Sequence, residues 1–279
     1  MENLQTKSIK HIKIRKVTAL GTADVEDELA VEEPLEIQVK YIIEGKPIKK
    51  SISVTMRTPG NDEELAAGFL FTEGIMKNRG QISSINSDLF DENKIVVSFA
   101  KNEKPLLQTA ERNFYTTSSC GVCGKSSIDA IKTVSPFSQN DDCIRISANV
   151  FYGLPSALTK QQEIFETTGG LHASALFDFN GKFRLLREDV GRHNALDKLI
   201  GSVFLKNQLP LSDSILLLSG RASFELIQKA SMAGIKIVAA IGAPSSLALQ
   251  LAEEFGITLI GFLGKERFNI YSGSQRIVS

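Results

Sequence analysis

The sequence predicts an α/β fold with an α+β leading part, and three observations carry that prediction. Leu35, Ile37, Val39, Tyr41 and Ile43 alternate strictly, as do Ile52, Val54 and Met56, which marks half-buried strands in the first third. Residues 215–218, 237–241 and 257–260 are instead unbroken apolar runs, the pattern of strands covered on both faces. Between these runs lie helical stretches closed by Gly234 and Gly256, and strand–helix–strand at this spacing predicts parallel strands with right-handed crossovers. We divide the chain into an α+β part with antiparallel strands, residues 1–110, and an α/β part, residues 111–279.

Composition narrows the function classes. The chain has 279 residues and is 42% hydrophobic, enough for a full core. Thirty-two Lys and Arg balance 32 Asp and Glu, so no net positive field favours nucleic acid. No apolar run reaches the roughly 18 residues a membrane span requires. The N-terminus is polar and mildly basic, without the apolar stretch of a secretory signal. Three cysteines are too few for a disulfide scaffold, and a reduced, cytoplasmic protein is expected.

Taken in order, a first strand is predicted near Ile12–Val17. The two alternating runs then form a hairpin around Gly45-Lys46-Pro47, with the alternating residues inward. Asn61 caps a helix that opens on Asp62, Glu63 and Glu64, turns Leu65, Phe69 and Leu70 inward and ends at Gly74. Ile95, Val97 and Phe99 mark another strand. A polar stretch follows, then a helix over 126–134 and a surface loop over 135–142. Residues 148–166 read as helical with a break near Pro155. Ala173, Ala175, Phe177 and Phe179 alternate up to the turn signal Asn180-Gly181, and Phe183 and Leu185 return the chain. A helix through Ala195, Leu196, Leu199 and Val203 leads into the three apolar strands.

The chemistry clusters in a few segments. Ser118-Ser119-Cys120-Gly121-Val122-Cys123-Gly124-Lys125 brings two sulfurs within reach of each other. Such a pair can share a metal, close a disulfide or hold a transferable sulfur. A structural zinc needs four ligands, and after Cys143 with His172 or His193 no second C-x-x-C is left. A zinc deaminase needs H-x-E before P-C-x-x-C, an order this chain lacks. A glycine-flanked pair in a polar stretch suits a persulfide carrier best. Parallel sheets bind ligands at the carboxyl ends of their strands. Ser219-Gly220-Arg221-Ala222-Ser223 and Gly242-Ala243-Pro244-Ser245-Ser246 stand there, offering hydroxyls and free backbone N–H groups to an anion, or simple serine caps. Arg221 adds a positive fork. Gly169-Gly170-Leu171-His172 and Asp189-Val190-Gly191-Arg192-His193-Asn194 are polar loops beside strands, where a histidine is either ligand-facing or structural.

Together these motifs resemble the formate dehydrogenase accessory sulfur carriers, the FdhD/NarQ family. The resemblance rests on Ser119 to Gly124, Thr168 to His172, Glu188 to Lys198, Ser219-Gly220-Arg221, and Arg57-Thr58-Pro59-Gly60 through Thr72-Glu73-Gly74. It implies a cytoplasmic sulfurtransferase, a homodimer whose C-terminal domain resembles the cytidine deaminase fold. Cys120 and Cys123 would take sulfur from a cysteine desulfurase. They would pass it to the bis-molybdopterin guanine dinucleotide cofactor, with molybdenum or tungsten, before that cofactor enters the formate dehydrogenase catalytic subunit. No tightly bound metal of its own is implied, and a guanine nucleotide should serve as a surrogate ligand. We place the nucleotide ends of the cofactor at Gly170, His172, Asp189, Arg192, His193, Asn194, Gly220, Arg221, Ser223, Pro244, Ser245 and Ser246. Phe262, Lys265 and Arg267 complete the set. Lys265 stands where the family commonly has arginine; if that arginine contacts phosphate, Lys265 or Arg267 must supply the contact here. Ile241-Gly242-Ala243-Pro244 likewise departs from a serine-alanine-proline pattern. The alternatives are a zinc hydrolase of the deaminase class and a non-catalytic cofactor chaperone.

Overall fold

The computed structural model describes residues 8–88, 90–107, 135–137 and 143–278. The predicted mixed α/β architecture is what forms. The second half builds a six-stranded sheet in the order β13-β12-β11-β10-β8-β9. Its centre is β10 (Ser214–Leu218), β11 (Ile237–Ala240) and β12 (Thr258–Gly261), which run parallel and are buried at every residue. β8 (His172–Asp178) lies antiparallel to β10, and β9 (Phe183–Asp189) returns beside β8 after the Asn180-Gly181 turn. An edge strand that periodicity did not disclose, β13 (Asn269–Ser272), pairs antiparallel with β12.

One face of this sheet is covered by α2 (Ala148–Thr159), through Phe151, Leu154 and Leu158. Pro155 does not break α2: buried Leu154 and Leu158 hold the turn containing it on the sheet, and the break falls at residues 160–162, before α3 (Glu163–Thr168). The other face carries α4 (Arg192–Leu205), α5 (Phe224–Met232) and α6 (Ser246–Glu254). Because α5 and α6 both lie on this face, the successive β10–β12 strands are neighbours in space.

The first part forms a four-stranded sheet, β4-β3-β6-β5, over α1 (Asp62–Thr72). It is not purely antiparallel. β3 (Glu33–Ile43) runs parallel to β6 (Lys94–Phe99), and β5 (Ile82–Ser87), an element with too polar a pattern to be read, completes the sheet. In β4 (Lys46–Arg57) the alternation misled. Ile37 faces Ser53 while Gln38 faces Ser51, so Ile52 is the extra residue of a bulge. Ile52 points inward, but Val54 and Met56 emerge 53% and 47% exposed. Asn61 does precede α1, in the left-handed region at φ 57°, but gives it no side-chain cap. α1 is also buried more widely than expected, through Leu65, Ala66, Ala67, Leu70 and Phe71.

That burial comes from α4, which crosses α1 at two glycines. A Cβ on Gly68 would sit 1.9 Å from the Asp197 carbonyl oxygen, and one on Gly201 would sit 1.8 Å from that of Glu64. A single core therefore joins Leu35, Ile37 and Val97 of the small sheet to Leu216 and Val238 of the large one. The boundary drawn near residue 110 falls outside the described residues. So do the helix over 126–134, most of the loop over 135–142, Cys120 and Cys123.

A third unit stands apart. β1 (Ile9–Thr18) and β2 (Gly21–Ala30) form a two-stranded ribbon; only β1 was expected. One face pairs polar groups across the strands, Arg15 with Asp24 at 3.0 Å and His11 Nδ1 with Glu28 at 3.4 Å. By register the other face holds Ile12, Ile14, Val25 and Leu29, and the tip leaves Leu20 100% exposed. Among the described residues no helix is long and apolar enough to cross a membrane.

The crossing gives a direct test. Gly201→Ala should cost about 3 kcal/mol or more, because backbone on both helices must move apart. A urea midpoint within error of the parent's would show that the helices do not meet this closely.

Candidate functional site

Strand direction gathers the predicted segments at one edge of the six-stranded sheet. The parallel strands β10, β11 and β12 end there, in loops 219–223, 241–245 and 262–267. β8 begins at the same edge and β9 ends at it, since His172 pairs with Asp189 across the ladder. Loop 189–194 then enters α4. All five predicted ligand segments thus share one rim, but their residues divide into those that face out and those that hold the rim together.

Asp189 and Asn194 belong to the second group. Asp189 is fully buried; its carboxylate meets Lys198 Nζ at 2.7 Å and accepts from the N–H groups of Thr58 and Gly191. Asn194 donates to Asp189 and to the Met56 carbonyl, and its oxygen accepts from the Thr55 hydroxyl. Thr58 returns the contact twice, accepting from Lys198 at its carbonyl and from the Val190 N–H at its hydroxyl. Loop 189–194 is therefore moulded on the end of β4. Sequence reasoning missed Thr58 and Lys198 as supports, although both stand within the motifs that carried the family resemblance.

The two loops after β10 and β11 are zipped to each other. Gly242 N–H donates to the Gly220 carbonyl, Ala222 N–H to the Ala243 carbonyl and Ser245 N–H to the Ala222 carbonyl, with Ala222 and Pro244 bridged in parallel. These three N–H groups are thus not free for an anion. The serines differ. Ser245 caps α6, accepting from the Ala248 N–H at 3.2 Å. Ser223 does not cap α5; its hydroxyl lies 3.4 Å from His193 Nε2. Pro244 is half-buried in the bridge and Ser246 is exposed at the start of α6.

The outward groups are mostly cationic or aromatic. Arg221, Lys265 and Arg267 are exposed, Arg192 is half-buried, and none of the four has a carboxylate partner among the described residues. The Arg192 Nε is buried without a hydrogen-bond partner there. Gly220 lies beside the His172 ring: a Cβ there would sit at ordinary contact distance, 3.4 Å from His172 Nδ1. Gly170, exposed, rests against Ala30 at the root of the ribbon. Burial, then Arg192, hold His172 below the usual histidine range, against a smaller opposite pull from Asp189. Burial, then Lys229 and Arg192, push His193 down to about 3. Both imidazoles are neutral at pH 7. Phe262 is 49% exposed in the left-handed region at φ 51°, its N–H fastened to the Gly242 carbonyl. An aromatic residue is rarely held this way, and here the turn presents its ring at the rim.

Under the rim, Lys229 of α5 meets Asp197 of α4 at 2.9 Å, Glu73 at 3.2 Å and the Thr72 hydroxyl at 2.9 Å. This second buried cation fixes the far end of α1 as Lys198 fixes the near end. Among the described residues no group of three or more His, Cys, Asp or Glu could hold a metal ion. Cys143 is exposed and unbridged.

This geometry defines an α/β protein with a cation- and aromatic-lined rim at the carboxyl edge of its sheet. Comparison with known proteins narrows the class. The FdhD/NarQ family matches residues 30–278. The sulfur carrier protein FdhD of Mycobacterium tuberculosis is 44% identical over 277 residues, covering 96% of this chain and 98% of that one. Its namesake from Streptomyces coelicolor is 47% identical over 261 residues, covering 90% and 89%. A crystal structure from Desulfotalea psychrophila, proposed to be a formate dehydrogenase accessory protein, superposes with a TM-score of 0.73 at 26% identity over 97% of this chain and all of that one. The chain belongs to the FdhD/NarQ family.

Two measurements follow. A histidine whose folded pKa lies below its unfolded value of about 6.5 stabilises above that value and loses stability as pH falls toward 3. His193→Gln should therefore remove about 1–2 kcal/mol of the loss seen between pH 6.5 and 5 in urea titrations; an unchanged pH slope would show that His193 is not held neutral. Phe262→Gly should raise the melting temperature by relieving a left-handed residue, worth about 1 kcal/mol, while weakening any ring-bearing ligand. A lowered melting temperature would contradict the strain.

Proposed function

We propose that this protein is a sulfur carrier serving formate dehydrogenase, with Cys120 and Cys123 as the carrying thiols. The observation that supports this most is family membership over nearly the whole chain, joined to a C-x-x-C in the sequence and to a rim of cations without carboxylate partners among the described residues. A thiolate of the pair attacks the terminal sulfur of a cysteine desulfurase persulfide. A new S–S bond forms, the desulfurase cysteine leaves as thiolate, and no net oxidation occurs. The second thiol of the pair then attacks the sulfur of the carrying cysteine. The outer sulfur leaves at the sulfide level to the bis-molybdopterin guanine dinucleotide, which is substrate here and not a resident cofactor, before the formate dehydrogenase catalytic subunit receives it. The disulfide left on the pair is reopened by an external dithiol before the next cycle.

The rim residues divide the work of holding that substrate. Arg192, Arg221 and Lys265 or Arg267 meet its phosphates as charge-assisted donors. Phe262 offers a face for a planar ring, a contact worth about 1–3 kcal/mol. Asp189, Asn194, Lys198 and Thr58 keep loop 189–194 in shape beneath the ligand. The ribbon supports self-association: a two-stranded hairpin is marginal alone, and the face that carries Ile12, Ile14, Val25 and Leu29, with Lys10, Lys16 and Asp27 among them, suits a second copy in a homodimer.

Intact-protein mass after incubation with a cysteine desulfurase and cysteine tests the carrier chemistry. A reductant-labile gain of about 32 Da, one sulfur atom, is expected, absent when Cys120 and Cys123 are both serine. Formate dehydrogenase activity should fall with the same double variant while its melting temperature holds. Full activity supported by the double-serine protein would turn the reading toward a non-catalytic chaperone.

A further inference from the structure

The small sheet turns its inner face to the core, through Leu35, Ile37 and Val97. Its outer face is open to solvent at the end where β3 and β6 begin. By register that face carries Pro34 opposite Met56, and Glu36 between Val54 and Lys94. Val54 and Met56 are the two side chains that the bulge at Ile52 leaves outside. Asp88 and the turn 90–93 lie over the same end. Asp88 reaches Lys49 of β4 at 3.5 Å, Asp91 meets Lys94 at 3.1 Å, and the Asn93 carbonyl accepts from the Glu36 N–H. The Phe90 N–H donates to the Asp88 carboxylate at 3.1 Å. Phe90 is thus held by a fastened turn, and yet it is 96% exposed. A large aromatic side chain fixed in water beside other apolar side chains marks a surface that another molecule covers.

Charge narrows what that molecule is. Glu32, Glu33, Glu36, Asp88, Asp91 and Glu92 surround the apolar group. Lys49, Lys94 and Arg57 answer them, and Arg57 is buried and shared between Glu33 and Asp62. Lys40, the next cation on this face, stands two pairs farther along β3. The patch is therefore acidic around an apolar centre, and it suits a basic partner surface. It also adjoins the rim, since the Met56 carbonyl and the Thr55 hydroxyl both bond to Asn194.

We propose that Phe90, Pro34, Val54 and Met56, with the carboxylates around them, form the docking surface for the formate dehydrogenase catalytic subunit, which meets them with a lysine- or arginine-bearing face. The inference rests on the proposed carrier function, and it names the surface through which that function reaches its acceptor. The enzyme that takes the cofactor must come up to the rim the cofactor leaves, and this patch borders the rim. A cysteine desulfurase has to meet Cys120 and Cys123 and need not approach the rim. A second copy using the same patch would set acid against acid across a two-fold axis. Phe90 is the anchor, because a rigid ring buries a large apolar area at small entropic cost, and the carboxylates guide the approach.

Biolayer interferometry of the full chain against the purified, cofactor-free formate dehydrogenase catalytic subunit, and separately against the cysteine desulfurase, tests the surface. The Phe90→Ala/Val54→Ser double variant should weaken the dehydrogenase subunit about tenfold or more. Glu32→Lys should weaken it about threefold and flatten its salt dependence, while the parent loses affinity as ionic strength rises. All the substituted side chains are exposed, so melting temperatures should match the parent's. The double variant should also keep the reductant-labile sulfur gain and lower formate dehydrogenase activity. Parent-like binding of the dehydrogenase subunit by the double variant would overturn the proposal, as would a parent that does not bind that subunit. A loss directed at the desulfurase, or at self-association in sedimentation, would overturn the choice of partner. A parent that takes up no sulfur fails on the carrier function alone, and the binding series still decides the surface.

Discussion

The crossing of α1 over α4 is the contact on which the molecule turns. Gly68 and Gly201 let the two backbones touch, and a buried cation secures each end of α1: Lys198 beneath Thr58, and Lys229 beneath Thr72 and Glu73. Moving one partner of such a pair would strand a charge in the interior, at a cost of about 3–5 kcal/mol. The crossing therefore admits little slip. It presses the small sheet's helix onto the large sheet's helix, and it sets the end of β4 against loop 189–194. The rim is in this sense a product of the first hundred residues as much as of the sheet that bears it.

This explains why the longest motif mixes residues of different kinds. Between Glu188 and Lys198, Glu188 accepts from the Ile164 and Phe165 N–H groups at the start of α3, while Asp189, Asn194 and Lys198 tie the loop down. Asp197 belongs to the second buried ion pair. Arg192 and His193 alone of the charged and titratable groups in that run stand toward the rim. A dense polar run between a strand and a helix looks uniformly like a binding loop in sequence. In three dimensions most of its polarity is spent internally, because a loop buried against another element must satisfy each backbone group it covers.

The parts that were legible follow from burial. Runs such as Ile215–Leu218 are apolar because both faces of the strand are covered, and the rule that ligands sit at the carboxyl ends of parallel strands then located the rim. What escaped was pattern without an apolar signature. β2 (GTADVEDELA) is an exposed strand rich in acidic residues, held by its backbone ladder to β1 instead of a core. The parallel pairing of β3 with β6 depends on a crossover through α1 and β5 that no local spacing reveals. The bulge at Ile52 reverses the faces of Val54 and Met56, and one extra residue leaves no mark in the alternation itself.

The zipping of loop 219–223 onto loop 241–245 bears on how such a protein diversifies. With Ala222, Gly242 and Ser245 donating their N–H groups to the opposite loop, the edge keeps its shape without help from whatever sits on it. Recognition then falls to side chains carried outward on that frame, and side chains can be exchanged one at a time. A lineage can thus retain the scaffold unaltered while its taste in ligands drifts. Two members of one family with near-identical backbones need not prefer the same molecule.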